Sequence, residues 1–219
     1  TNYTIRETKT LPGYILDETP KQITLKENEI TTVQFENKAK SPIYILKLDS
    51  ETGKGIPGVR FKVTMADGSL IGEVTTDATG RATLTNIPAG YITVTEVAVP
   101  DGYVLDSTPQ TKLVDGENPV TFTFYNKPFG NLLIKKLNAA TQNPLAGAIF
   151  KITTADGTLV GDRYTSGADG TVLISGLDPT LTYIVTETRA PEGFEISEGA
   201  KTITVKPGET VELVFEDKR

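Results

Sequence analysis

The chain contains no cysteine, no histidine and no tryptophan. Without cysteine there is no disulfide, no thiolate nucleophile and no cysteine-based metal centre. Without histidine the usual general base near neutral pH is missing. Without tryptophan the commonest sugar-stacking platform is gone. Long apolar runs are missing too, so no segment reads as a membrane-spanning helix, and the first residues lack the pattern of a secretory signal. An export signal, if the protein is exported, is expected outside these 219 residues. Acidic and basic residues are interspersed, and the formal net charge is −6. That balance argues against nucleic acid or an anionic membrane as partner. The chemistry left to the chain belongs to Lys, Asp, Glu, Asn, Ser, Thr and Tyr, with no cofactor implied.

What the chain does have is repetition. Val94-Thr95-Glu96 is followed by Val99-Pro100-Asp101-Gly102-Tyr103, and Val185-Thr186-Glu187 by Ala190-Pro191-Glu192-Gly193-Phe194. Near the start, Ile5-Arg6-Glu7 precedes Leu11-Pro12-Gly13-Tyr14. Three aromatic endings follow: Phe35-Glu36-Asn37-Lys38, Phe124-Tyr125-Asn126-Lys127 and Phe215-Glu216-Asp217-Lys218. Glu7 to Asn37, Glu96 to Asn126 and Glu187 to Asp217 each span 30 residues. Ile45-Leu46-Lys47-Leu48-Asp49 and Ile134-Lys135-Lys136-Leu137-Asn138 open two repeats, with Lys47 and Lys136 89 residues apart. One full repeat therefore runs from about 41 to 127 and another from about 130 to 219. Residues 1–38 read as the back half of a third, whose front half is expected upstream of Thr1.

Within each repeat short segments of period two alternate with turn dipeptides such as Asp67-Gly68, Asp101-Gly102, Asp115-Gly116, Asp156-Gly157 and Asp169-Gly170. The first and fourth of these predict tight hairpins. No useful helical periodicity occurs, and many short strands at this spacing predict an all-β sandwich. The aspartates before glycine suit turns rather than a calcium loop.

The alternation places polar residues on apolar faces. Ile92, Val94 and Glu96 share a face, as do Tyr183, Val185 and Glu187, and Tyr3, Ile5 and Glu7. Phe122, Phe124 and Asn126 share one, as do Leu213, Phe215 and Asp217, and Val33, Phe35 and Asn37. Ile43, Ile45 and Lys47 align, as do Leu132, Ile134 and Lys136, which leaves Lys135 as a solvated neighbour. A lone polar group at a strand end is ordinarily a rim residue. The same three roles recurring in both full repeats argue instead for a chemical unit.

Burial of Lys lowers its pKa and makes it a nucleophile, while burial of Glu raises its pKa and makes it a proton carrier. The carboxamide of Asn or carboxyl of Asp supplies an electrophilic carbon. The product is a side-chain amide, formed with loss of ammonia from Asn or water from Asp. Exclusion of water keeps hydrolysis slow. The reaction is a single self-modifying turnover, so no enzyme is implied.

The Lys47-Leu48-Asp49 opening, the Val94-Thr95-Glu96 with Pro100-Asp101-Gly102-Tyr103, and the Phe124-Tyr125-Asn126-Lys127 ending resemble the Cna B-type, SpaA-like domains of Gram-positive surface adhesins and pilins. The resemblance covers the whole chain, as two complete copies and one partial. It implies tandem prealbumin-like (reverse immunoglobulin-type) Greek-key β-sandwiches carrying intramolecular isopeptide bonds, on an extracellular, wall-attached protein. Carried over by position, it assigns Lys47 to Asn126 with Glu96 as catalyst, and Lys136 to Asp217 with Glu187. Glu7 and Asn37 match the catalyst and acceptor, with their Lys expected some 49 residues before Glu7. Two positions depart from the pattern: Asn138 stands where the first full repeat has Asp49, and Asp217 replaces Asn as acceptor.

A structural stalk or pilus-shaft segment is the function these features favour, with neighbouring repeats or other copies of the chain as partners. The alternative is an adhesin module contacting a host protein or glycan through its loops. Tyr91, Tyr103, Tyr183 and Phe194 are expected in core packing rather than in a binding platform. Neither a Leu-Pro-x-Thr-Gly sorting signal nor a pilin polymerisation motif occurs, and Leu11-Pro12-Gly13 reads as a turn.

Overall fold

A computed structural model describes all residues from 1 to 219, which form sixteen strands and no helix. The strands are β1 (Asn2–Ile5), β2 (Lys21–Thr24), β3 (Ile43–Asp49), β4 (Arg60–Met65), β5 (Leu70–Thr75), β6 (Arg81–Leu84), β7 (Gly90–Ala98), β8 (Gln110–Val114) and β9 (Val120–Asn126). They continue as β10 (Gly130–Asn138), β11 (Ile149–Thr154), β12 (Leu159–Thr165), β13 (Thr171–Leu177), β14 (Thr182–Arg189), β15 (Lys201–Thr204) and β16 (Thr210–Asp217). The chain divides into two compact units. One comprises residues 1–48, 54–100 and 105–125, the other residues 49–53, 101–104 and 126–219.

The same seven-strand plan occurs twice. Strands β6-β3-β9 form a three-stranded sheet and β5-β4-β7-β8 a four-stranded one, and β13-β10-β16 with β12-β11-β14-β15 repeat the arrangement. Strand β10 runs parallel to β16 from Asn131↔Thr210 to Asn138↔Asp217, so the beginning and end of this repeat lie side by side. The hairpins at Asp67-Gly68 and Asp156-Gly157 close as the dipeptides predict: Gly68 and Gly157 adopt φ of 85° and 90°, and each aspartate accepts the amide two residues on.

Alternation fills the space between sheets. In the first sandwich Ile43, Ile45, Phe61, Val63, Ile92, Val94, Phe122 and Phe124 are buried. In the second, Leu132, Ile134, Phe150, Ile152, Tyr183, Val185 and Phe215 form one cluster. A tilted aromatic pair joins the sheets in each, Phe61–Phe124 at 4.9 Å and Phe150–Phe215 at 5.1 Å between ring centroids. Tyr183 belongs to this core, but Tyr91 does not. It lies on the outward face of β7 opposite Leu113 and is 58% exposed, because it shares the parity of Thr93 rather than of Ile92. Tyr103 and Phe194 are only half-buried.

Residues 1–38 contain a two-stranded sheet, β1 with β2. The aromatic ending at Phe35–Lys38 is not a strand, unlike β9 and β16. Those two strands are laddered to β3 and β10, and nothing within 1–38 supplies a counterpart. Tyr3, Leu11, Tyr14, Leu25 and Ile30 remain exposed. The segment meets the following residues through Lys40 N–H to Gly13 O (2.7 Å) and Ser41 N–H to Gly116 O (2.8 Å), and through Ile15 beside Gly116.

Candidate functional site

In the second sandwich three polar side chains meet between the sheets. Lys136 projects from β10, Glu187 from β14 and Asp217 from the last position of β16. All three side chains are fully buried. Lys136 Nζ lies 2.6 Å from Glu187 Oε2 and 2.6 Å from Asp217 Oδ1. Lys135 points the other way and pairs with Glu212 at the surface. Glu187 Oε1 and Asp217 Oδ2 are buried and receive no N–H or hydroxyl. Burial pushes the Glu187 pKa up to about 7 against the pull of Lys136, and the charge of Asp217 and a hydrogen bond with it add to the rise.

The first sandwich places Lys47 on β3 and Glu96 on β7 in the same relation, with Nζ 2.7 Å from Oε2 and both side chains buried. Burial lowers the Lys47 pKa, against the opposing effect of Glu96. Asn126 ends β9 and is buried, at the position Asp217 holds in β16. In residues 1–38 Asn37 Nδ2 donates to Glu7 Oε2 (2.7 Å) and to Ile15 O (2.9 Å), so these two side chains meet. Both are half-buried beside a cleft of about 490 Å³.

Local structure explains the aim of these groups. The ladder between β4 and β7 passes from Phe61↔Glu96 to Arg60↔Ala98, leaving Val97 as an extra residue. Between β11 and β14 it passes from Phe150↔Glu187 to Ile149↔Arg189, leaving Thr188. Each core glutamate is thus followed by a β-bulge that ends the regular pairing. The lysine backbones are held on both sides: Lys47 N–H donates to Gly80 O and its carbonyl accepts Ile56 N–H, and Lys136 does the same with Gly170 and Leu145. Gly80 and Gly170 have φ of 76° and 73°, and a Cβ there would come within 2.4 Å of Lys47 O and 2.7 Å of Lys136 O.

Several contributors carry no motif. The amide of Asp17 donates to Glu7 and that of Asp106 to Glu96, each ten residues after its glutamate. At the same spacing the Ser197 amide donates instead to Asp217 Oδ1 (3.2 Å). Thr76 and Ser166 tie buried backbone by accepting Val59 and Ala148 N–H and donating to Ile56 and Leu145 carbonyls. The exchange of Asp49 for Asn138 also has a structural counterpart. Tyr103 donates its hydroxyl to Asp49 Oδ2 (2.9 Å), and Phe194, at the matching place, has no hydroxyl to give.

A two-sheet sandwich with its first and last strands side by side is the architecture of a prealbumin-like module, and here a lysine–carboxyl cluster is sealed between its sheets. The chain belongs to the SpaA family of prealbumin-like fold domains, whose model matches residues 1–39, 41–128 and 130–219. It is 26% identical over 222 residues to a collagen adhesin of Staphylococcus aureus, matching 84% of this chain and 19% of the relative. It thus spans about a fifth of that protein's length. Among solved structures it resembles a streptococcal ancillary pilin (22% identity, TM-score 0.50, covering all of this chain and 75% of the pilin). It also resembles the Bacillus anthracis TIE protein (25% identity, TM-score 0.49, covering all of this chain and 42% of that one). No helix is long and apolar enough to cross a membrane.

Proposed function

We propose that the chain is a shaft segment of a Gram-positive cell-surface adhesin or pilus, built of repeats at about 41–127 and 130–219 that lock themselves with a lysine-to-Asn or lysine-to-Asp amide. The observation that carries this reading is the sealed Lys136–Glu187–Asp217 cluster, in which nucleophile, proton carrier and electrophile lie within 2.6 Å contacts. Lys136 releases a proton to Glu187 Oε2, and its neutral amine attacks Asp217 Cγ. Glu187 delivers protons from Oε1 to Asp217 Oδ2, which departs as water. Two protons leave nitrogen, two reach the departing oxygen, and the amide keeps one N–H. Asp217 Oδ1 becomes the amide oxygen, already held by the Ser197 amide. In the first full repeat Lys47, Glu96 and Asn126 take the corresponding roles, and ammonia departs. Glu7 and Asn37 hold the catalyst and acceptor positions of the partial repeat.

Family membership, with the likeness in sequence to a staphylococcal adhesin, supports the surface role. Other repeats or other copies of the chain are the partners this role needs. The name of the staphylococcal relative brings a second candidate partner, a host matrix protein, which binding of the purified chain to immobilised collagen would reveal. The decisive experiment is intact mass. The chain should weigh less than its sequence by one water and one ammonia, and proteolysis should yield peptides joining Lys136 to Asp217 and Lys47 to Asn126. A mass equal to that of the sequence would end the proposal.

A further inference from the structure

Each sandwich is open along one side. Strand β8 is the edge of one sheet and β9 the edge of the other, and β15 and β16 stand in the same relation. No backbone ladder joins them, so the outward carbonyls and amides of the last strand have no strand partner. A side chain at one matching position bridges this gap in every repeat, and in the first full repeat Lys112 Nζ adds a second bridge to Thr121 O (2.6 Å). Lys21 donates to Gln34 O, Gln110 Nε2 to Thr123 O (2.7 Å) and Lys201 Nζ to Val214 O (2.6 Å). The donor lies fourteen residues after Glu7, Glu96 or Glu187, and the carbonyl three residues before Asn37, Asn126 or Asp217.

Resting on the self-linking reading above, we propose that Gln110 and Lys201 are positioning residues that latch the last strand so that its terminal acceptor stays aimed at the core, and that Lys21 holds the matching irregular segment before Asn37. Three observations carry this. The geometry recurs although the residue changes from Lys to Gln, which keeps a donor and discards a charge. In the last repeat the latch is two-pronged: Lys201 also pairs with Glu198 at 3.0 Å, and Glu198 accepts the Glu216 amide at 2.8 Å, so residues on both sides of Phe215 are pinned just ahead of Asp217. In the first full repeat Gln110 lines the cleft of about 230 Å³ that reaches Lys47, together with Asp106, Thr108, Thr123 and Tyr125. The latch thus lies where the sandwich opens toward the reacting lysine. Because an edge strand is otherwise free to drift, the latch sets how often the acceptor carbon is presented within reach of Nζ.

The test uses the full chain and follows the linked peptides by mass spectrometry in freshly purified protein and during incubation. Lys201→Met should slow Lys136–Asp217 linkage on the order of tenfold, leaving ammonia loss in the first full repeat unchanged. Lys201→Gln, which breaks the Glu198 ion pair but keeps a donor as Gln110 does, should restore linkage to within about twofold of the unaltered chain. Gln110→Leu combined with Lys112→Met, which removes both bridges from β8 to β9, should mirror the effect at Lys47 and decides the matter if Lys201→Met fails to fold. Unchanged linkage in Lys201→Met, or equal slowing in Lys201→Met and Lys201→Gln, would overturn the latch while leaving the self-linking reading intact. Absence of any linkage in the unaltered chain would sink both.

Discussion

Charged side chains survive between the two sheets because each charge has a partner and each proton a destination. Lys136 contacts two carboxyl groups, and the raised Glu187 pKa keeps one proton in the cluster below about 7. Glu187→Gln retains the shape but cannot accept the lysine proton, so it should fold without losing water. If linked peptide persists in that variant, Glu187 is not the proton carrier. The sign of the pH dependence follows from the same shift. Between the ordinary glutamate value of 4.5 and about 7 the folded, unlinked repeat holds a proton that the unfolded chain has released. Its stability therefore falls as pH rises through that window. Loss of the proton also removes the group that delivers it to Asp217, so the rate of water loss should decline above about pH 7. A rate that climbs steadily through neutrality would contradict the assigned role.

At the scale of elements, alternation turns the lysines inward and the neighbouring turns hold their backbones in place. Gly170 packs against Lys136 O and Pro144, whereas Gly176 has the same φ of 73° and open space around its Cβ position. Gly176→Ala should therefore carry backbone strain alone, about 1 kcal/mol. Gly170→Ala adds a backbone collision and should cost about 3 kcal/mol or more, read by denaturant unfolding. Equal costs would show that close approach at Gly170 is unimportant. The paired hydroxyls make a second prediction. Thr76→Val keeps the shape but strands Val59 N–H and Ile56 O, and should destabilise the first sandwich by about 1–3 kcal/mol.

For the whole molecule the proposed bonds change how the chain responds to heat and force. The linkage spans 79 residues from Lys47 to Asn126 and 81 from Lys136 to Asp217. By the chain-entropy argument used for disulfides, each closure is worth about 4–5 kcal/mol. Force applied to the ends of linked repeats would enter at one acceptor, cross nine residues and meet the next lysine, as between Asn126 and Lys136, where three residues precede β10 and six belong to it. Single-molecule pulling on the unaltered chain should release little more than linkers and the partial repeat. Removing Glu96 should add an unfolding step of about 270 Å, at about 3.4 Å for each of the 79 residues. A step of that length in the unaltered chain would show that the first full repeat is not bridged.

The sequence by itself determined the fold class. Period-two alternation and Asp-Gly turns specify strands and hairpins through local backbone preference, and no helix competes with them. The repeated Val-Thr-Glu and Phe-x-Asn/Asp endings placed Glu187 and Asp217 on buried faces because side-chain parity in a strand is fixed. Parity also placed Tyr91 outward, against the expectation that an aromatic ring would fill the core. Tertiary structure alone decided the rest. Whether Phe35–Lys38 becomes a strand depends on a neighbour to ladder with, which local sequence does not report. The bulges at Val97 and Thr188 exist only in the pairing of two strands. The destination of the Asp106 and Ser197 amides depends on which buried oxygen lacks a donor once the sheets have closed. Backbone groups carry no sequence signature, and their partners are chosen by the distances that packing sets.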